Sequence, residues 1–212
     1  MPHVDAITAV SPAAIGYIEE FTDLTINYIP NGIDLNKYRP HKTKRDRNMV
    51  LFIGRLEKRK GARQLLEAFV TLKRNKLQAT LHIVGDGPQR KSLERFVYDN
   101  NIEDVFFYGF VDDNKKIELL SKCSVYTSPA LYGESFGIVL AEAMAMQTPI
   151  VAHHNDGYRW VLQKTGRISL VNCKDDEAYA ERLQLLMEDD ALRALWQDWA
   201  IKYVAQYDYE KV

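Results

Sequence analysis

Met49-Val50-Leu51-Phe52-Ile53-Gly54 opens the stretch that decides the fold, and Arg55-Leu56-Glu57-Lys58-Arg59-Lys60-Gly61 carries it into Ala62, Leu65, Leu66, Phe69 and Leu72. An apolar run closed by glycine suits a strand buried on both faces. The apolar positions after Gly61 recur at three- and four-residue spacing, which is one stripe of a helix. The same alternation of strand and helix returns as 79–84 then 89–98, 105–108 then 115–120, and 124–127 then 136–146. Further apolar runs at 149–152 and 167–171 precede two helices at about 175–188 and 190–206. Strands separated by helices predict a parallel sheet covered on both faces, a doubly wound α/β domain over 48–190 followed by a C-terminal helix in 191–212. Such a sheet binds ligands beyond the carboxyl ends of its strands.

Upstream the pattern changes. Ile29-Pro30-Asn31-Gly32-Ile33-Asp34, then Lys37-Tyr38-Arg39-Pro40 and a polar run to Asn48, are dense in chain breakers and place a linker at 30–47. Before it, Val4 to Val10 and Leu24 to Ile29 read as strands around a helix that starts after Ser11-Pro12 and runs through Phe21. So small a unit buries little, and 1–29 is expected to be the remnant of a preceding domain whose body, on the order of 100 to 150 residues, is missing.

Composition narrows the function classes. The 212 residues carry 28 Lys plus Arg against 29 Asp plus Glu, a net charge of -1 that argues against a nucleic-acid partner. The apolar stretch Phe136 to Met146 is broken by Glu142 and is well short of the roughly 20 residues that cross a bilayer. No basic segment followed by an apolar one opens the chain, so a cytoplasmic location is expected. Cys123 and Cys173 are too few and too scattered for a disulfide framework or a zinc site, and they read as buried free thiols.

Two segments hold the candidate chemistry. Gly54 to Gly61 follows the first core strand, so Arg55 and Lys60 lie on the ligand edge. There a guanidinium fork and an ammonium can neutralise a diphosphate, and a solvated basic loop is the competing reading. The second segment is Glu134-Ser135-Phe136-Gly137-Ile138-Val139-Leu140-Ala141-Glu142. Its helix, read as starting near Phe136, is apolar on almost every side, so Glu142 needs a salt bridge or a ligand hydroxyl, or is simply a structural carboxylate. The first amides of that helix form an anion site at which Gly137 permits close approach. Gly85-x-Gly87 lacks the third glycine of a dinucleotide fingerprint. His153-His154 cannot share one helix face as metal ligands.

Gly54-Arg55 with Lys60-Gly61, Val84-Gly85-Asp86-Gly87-Pro88, and Glu134-Ser135-Phe136-Gly137 with Glu142 together resemble the donor half of family 4 glycosyltransferases, enzymes of two Rossmann-like domains (the GT-B fold). Gly133 to Leu140, Val111-Asp112-Asp113 with Lys116, and Tyr207-Asp208 are similar to the phosphatidylinositol mannosyltransferases within that family. Ile29 to Asp34 resembles the family's hinge. One departure from the subgroup is a shorter loop between Arg55 and Lys60.

The resemblance implies that Arg55 and Lys60 bind the donor diphosphate, that Glu134 orients the hydroxyls of the transferred sugar and that Glu142 holds the ribose. Gly54 and the amides of Phe136, Gly137, Ile138 and Val139 would complete the cradle, and the segment from Gly109 to Val111 would line the base. Asp113 and Lys116 would read a guanine edge, although Asp112-Asp113 reads equally well as a helix cap.

The reaction implied is retaining transfer of a sugar, mannose from GDP-mannose, to a lipid or glycan acceptor such as phosphatidylinositol. It would proceed without a metal or other cofactor; no Asp-x-Asp occurs in the chain. The subgroup implies peripheral work at the inner face of a membrane, and Lys42 to Arg47 is the segment that would touch anionic lipid. Lacking its acceptor domain, the chain is expected to bind donor without transferring it. A non-catalytic nucleotide-sugar-binding module and a nucleotide-sugar epimerase are the alternatives on the same fold.

Overall fold

A computed structural model describes residues 4–40, 44–75 and 77–212. Near the start, β1 (Ile7–Ala9) and β2 (Ile26–Tyr28) pair in parallel as a small sheet of their own. Between them α1 (Pro12–Gly16) is capped by the Ser11 hydroxyl, which accepts from the Ala14 amide at 3.0 Å. The helix stops at Gly16, a poor helix former, and does not run to Phe21; Glu19–Phe21 form a separate 3-10 turn.

The main sheet holds β3 (Asp46–Ile53), β4 (Thr80–Val84), β5 (Val105–Gly109), β6 (Cys123–Ser128), β7 (Ile150–His153) and β8 (Leu170–Val171). All neighbours are parallel, in the order β5-β4-β3-β6-β7-β8. Helices α2 (Ala62–Arg74), α3 (Arg90–Asp99), α4 (Asp113–Lys122), α5 (Ile138–Ala145), α6 (Tyr158–Val161), α7 (Asp176–Glu188) and α8 (Asp190–Val204) connect and cover the strands.

Alternation along β3 explains the two layers. Val50 and Phe52 point into a core with α2, α3 and α7, while Met49 and Leu51 point into a core with α4, α5 and α8. Strand order reverses between β3 and β6, the switch point where a doubly wound sheet leaves a crevice at its carboxyl edge.

Two further boundaries and the packing of the linker differ from expectation. β3 begins at Asp46, inside the expected linker, because Asp46 pairs with Cys123; residues 46–48 are exposed and polar, so no apolar pattern announces them. The linker is also not free. Ile33 is buried, donates its amide to the Tyr207 carbonyl at 2.7 Å and accepts from the Tyr209 amide at 3.1 Å, so the C-terminal residues are stitched to it. Finally, α5 starts at Ile138 and not near Phe136, because Gly137 takes φ 86°.

Of the basic segment, Lys42 lies outside the described residues, and Arg45 turns inward to hydrogen-bond Leu120, Cys123, Met146 and Thr148. Cys123 is buried and Cys173 half-buried. Among the described residues no helix is long and apolar enough to cross a membrane.

Candidate functional site

The loops after β3 and β6 face each other across the switch point. After β3 the chain turns through a 3-10 segment, Lys58–Lys60, and Gly61 adopts φ 70° before α2 begins. A β-carbon at Gly61 would strike the Pro129 carbonyl, so only glycine lets α2 abut the end of β6 this closely. The Leu131 amide donates to the Arg59 carbonyl at 2.8 Å and fixes the two loops to one another. Gly85, at φ 123°, packs its α-carbon against the Gly54 carbonyl. That glycine serves loop packing.

Glu134 is the centre of the arrangement. It is 8% exposed, and its Oε1 accepts from Lys60 Nζ at 2.5 Å and from Arg59 Nη1 at 2.9 Å. Arg59 also reaches Glu57 and the Gly133 carbonyl, so one guanidinium spans both loops. Arg55 stands outside this knot: its side chain is 69% exposed and pairs with Glu57 at 2.7 Å. Gly54 donates its amide to the Val84 carbonyl at 3.0 Å, at the base of the same loop.

Phe136 is buried, and Gly137 caps α5 with no side chain in the way. The first intrahelical bond runs from the Leu140 amide to the Gly137 carbonyl at 2.9 Å. The amides of Ile138 and Val139 precede it, and they point out of the helix end with the positive pole of its dipole. Glu142 sits in the second turn of α5, closer to the helix start than a start at Phe136 would place it. Its Oε1 accepts from Lys116 Nζ at 2.9 Å, while Oε2 is buried without a partner among the described residues.

Lys116 and Asp113 belong to α4. Burial lowers the Lys116 pKa, but hydrogen bonds with Tyr38 and Glu142 outweigh burial and hold the ammonium above its ordinary value. Tyr38, brought in by the linker, has its phenol pushed up to about 12, by burial first and by the Glu142 charge against the opposing pull of Lys116. Asp113 is exposed and its pKa is lowered, first by a hydrogen bond from Lys37 at 2.5 Å and then by Lys116. Asp112 is the cap of α4, accepting from the Lys115 amide at 2.8 Å. Val111 is half-buried beside Phe110, whose ring is 89% exposed.

A family model described as glycosyl transferases group 1 matches residues 35–203. This chain belongs to that family. A phosphatidyl-myo-inositol mannosyltransferase of Mycolicibacterium smegmatis is 36% identical over 189 residues, covering 87% of this chain and 48% of that protein. The chain therefore spans about half the length of the curated relatives it matches first. Among solved structures, a sucrose-phosphate synthase from Thermosynechococcus elongatus superposes with a TM-score of 0.85 at 27% identity, over 98% of this chain and 55% of that one. Anabaena HepE in complex with UDP and glucose has a TM-score of 0.85 at 22% identity, over 97% of this chain and 59% of that one, a likeness of fold.

In this group 1 glycosyltransferase chain the residues singled out from sequence fall into two clusters. Lys60 and Glu134 meet at the switch point, with α5 starting four residues after Glu134, and Lys116 of α4 meets Glu142 of α5; Asp113 joins the second cluster through Lys116 at 3.4 Å. Arg59, Tyr38 and Lys37 were not singled out. Arg59 sits in a run of three cations, and nothing in spacing alone tells which of them turns toward a carboxylate 75 residues away. Tyr38 and Lys37 lie in the linker, where breaker residues mask their packing.

Proposed function

We propose that this chain binds a nucleoside diphosphate sugar at the switch point and presents its sugar for retaining, metal-independent transfer, with GDP-mannose as donor and a lipid such as phosphatidylinositol as acceptor. The observation that carries the reading is the junction of Lys60, Glu134 and the open amides of α5 at the carboxyl edge of the sheet. The chain spans about half of those relatives; the proposal assigns the acceptor to the other half, so the reading for these 212 residues is donor binding.

The division of labour follows from hydrogen-bonding capacity. An ammonium has three donors, and Lys60 gives one to Glu134, leaving two for phosphate oxygens. Arg55, exposed at the mouth, closes on the same phosphates as a fork. The Ile138 and Val139 amides supply fixed dipoles. These donors hold charge that grows on the diphosphate as the sugar leaves, which is stabilisation gained in the transition state. Glu134 keeps acceptor capacity for the sugar hydroxyls. Glu142 offers its unpartnered oxygen to the ribose, a diol of two donors.

Mannose rests on the name of the 36% identical relative, and guanine on Asp113 with Lys116, a carboxylate and an ammonium that suit the donor and acceptor groups of a guanine edge. HepE was solved with UDP, which makes the uridine forms the comparison that matters. Calorimetric titration of GDP, UDP, ADP and their sugar conjugates tests the reading. Tightest binding of the guanosine forms is expected. Equal or tighter binding of UDP removes the guanine assignment, and binding of none of them removes the donor site.

A further inference from the structure

The amino ends of β3 and β6 form the other edge of the sheet, roughly 25 Å from the nucleotide loops by the length of a strand of this size. A cavity of about 780 Å³ opens there, lined by Lys44, Arg45, Asp46, Arg47 and Arg193. Two of its guanidiniums are built into the protein. Arg45 donates Nη1 to the carbonyls of Leu120 and Cys123 at 3.1 and 2.9 Å and to the Thr148 hydroxyl at 2.9 Å, and Nη2 to the Met146 carbonyl at 2.6 Å. Arg193 is 8% exposed and donates Nη1 to the Ser124 hydroxyl at 2.6 Å and to the Leu186 carbonyl at 2.9 Å.

Those carbonyls lie at the C-terminal ends of α4, α5 and α7, whose dipoles favour cations. Dipole ends orient a charge without cancelling it. Among the described residues neither guanidinium pairs with a carboxylate, and the residues outside the described ranges include no Asp or Glu. Arg47 pairs with Asp190 at 2.9 Å, and Asp46 accepts the Asn48 amide. Four cations against the Asp46 and Asp190 carboxylates leave two positive charges at the cavity.

We propose that this cavity is a binding site for a dianionic phosphate monoester, separate from the nucleotide edge. A dianion balances the two surplus charges, whereas a carboxylate leaves one. A tetrahedral phosphate also offers three terminal oxygens to forks and an ammonium arriving from different elements: Arg45 and Lys44 precede β3, and Arg193 comes from α8. Burial pushes the Arg193 guanidinium below its usual value, the Arg45 charge adds to this, Asp190 opposes it and Arg47 adds again. Bound phosphate relieves that repulsion. The site does not depend on the identity of the donor at the opposite edge.

Lys44 and Arg47 are exposed, so replacing both by alanine leaves the clasps of Arg45 and Arg193 intact. Calorimetry with glycerol 3-phosphate on the 212-residue chain is compared with co-sedimentation on phosphatidylcholine vesicles with and without phosphatidic acid. The K44A/R47A chain is expected to lose at least tenfold in affinity for the phosphate probe while its melting temperature holds, and K60A is expected to bind that probe as the parent does. Binding of glycerol 3-phosphate identifies a free phosphate ligand; binding only to phosphatidic acid vesicles identifies a lipid headgroup. No response to either probe, an unchanged affinity in K44A/R47A, or an equal loss in K60A overturns the site.

Discussion

Lys60 shares its ammonium between a carboxylate in the protein and a phosphate in the proposed ligand, so its removal acts on binding and on Glu134 at once. K60A is expected to weaken GDP by about 1.5 to 3 kcal/mol, the worth of a hydrogen bond to a charged group, or roughly ten- to a hundredfold. Calorimetry alongside circular dichroism checks this; unchanged affinity in a folded variant would mean that Lys60 only neutralises Glu134. Glu142→Gln is expected to weaken GDP more than pyrophosphate, because the proposed partner of its free oxygen is the ribose. Similar losses for both ligands would mark Glu142 as support for Lys116 alone. His153 gives a prediction about pH. Its ring is buried, donates its Nδ1–H to the Pro129 carbonyl at 2.8 Å, and has its pKa lowered by burial to about 4. A folded-state value below the unfolded one means that the unfolded chain takes up the proton first. Stability is therefore lost as pH falls from about 6.5 toward 4, by up to roughly 3 kcal/mol. H153Q should flatten the dependence of urea midpoint on pH over that window, and an unaltered slope would assign the loss to other groups.

At the scale of elements, α5 is a buried helix whose proposed part in binding falls to its end. Its sides are enclosed, so its N-terminus is what it offers, and Gly137 holds that end open. A β-carbon at Gly137 would meet Tyr158 Cε1 at 2.5 Å and Leu140 Cδ1 at 3.1 Å, in a backbone region that side chains rarely adopt. Gly137→Ala is expected to cost about 1 to 3 kcal/mol of stability and to lower GDP affinity with it, read by chemical denaturation and calorimetry on the same sample. Loss of stability with affinity intact would separate the helix end from the ligand. The strands and long helices were legible because apolar periodicity reports burial directly. The start of β3, the α5 cap and the short α6 were not, since each is set by a contact distant in sequence: Asp46 with Cys123, Gly137 with Tyr158, and the Tyr158 phenol with Ser128 at 2.7 Å.

The whole molecule has two unlike edges. The carboxyl edge holds Lys60, Glu134 and the start of α5 near the strand-order switch, and the amino edge gathers the half-buried Arg45 and the buried Arg193 at helix C-termini. The position of the first edge was legible in the sequence, since a glycine-bounded basic loop after one strand and an acidic motif before a buried helix can converge only at a sheet's carboxyl end. The second was legible only in the basic segment Lys42 to Arg47, because Arg193 lies 148 positions from Arg45 in a chain of 212 and looks like an ordinary surface cation. Their partners are backbone carbonyls, which leave no mark on a sequence. Hydrogen exchange of backbone amides, with and without saturating GDP, tests the central claim most directly. The account predicts new protection at Gly54 to Gly61 and at Gly137 to Val139, with the amino ends of β3 and β6 unchanged. Protection confined to the amino edge, or none at either loop while GDP is bound, would contradict it.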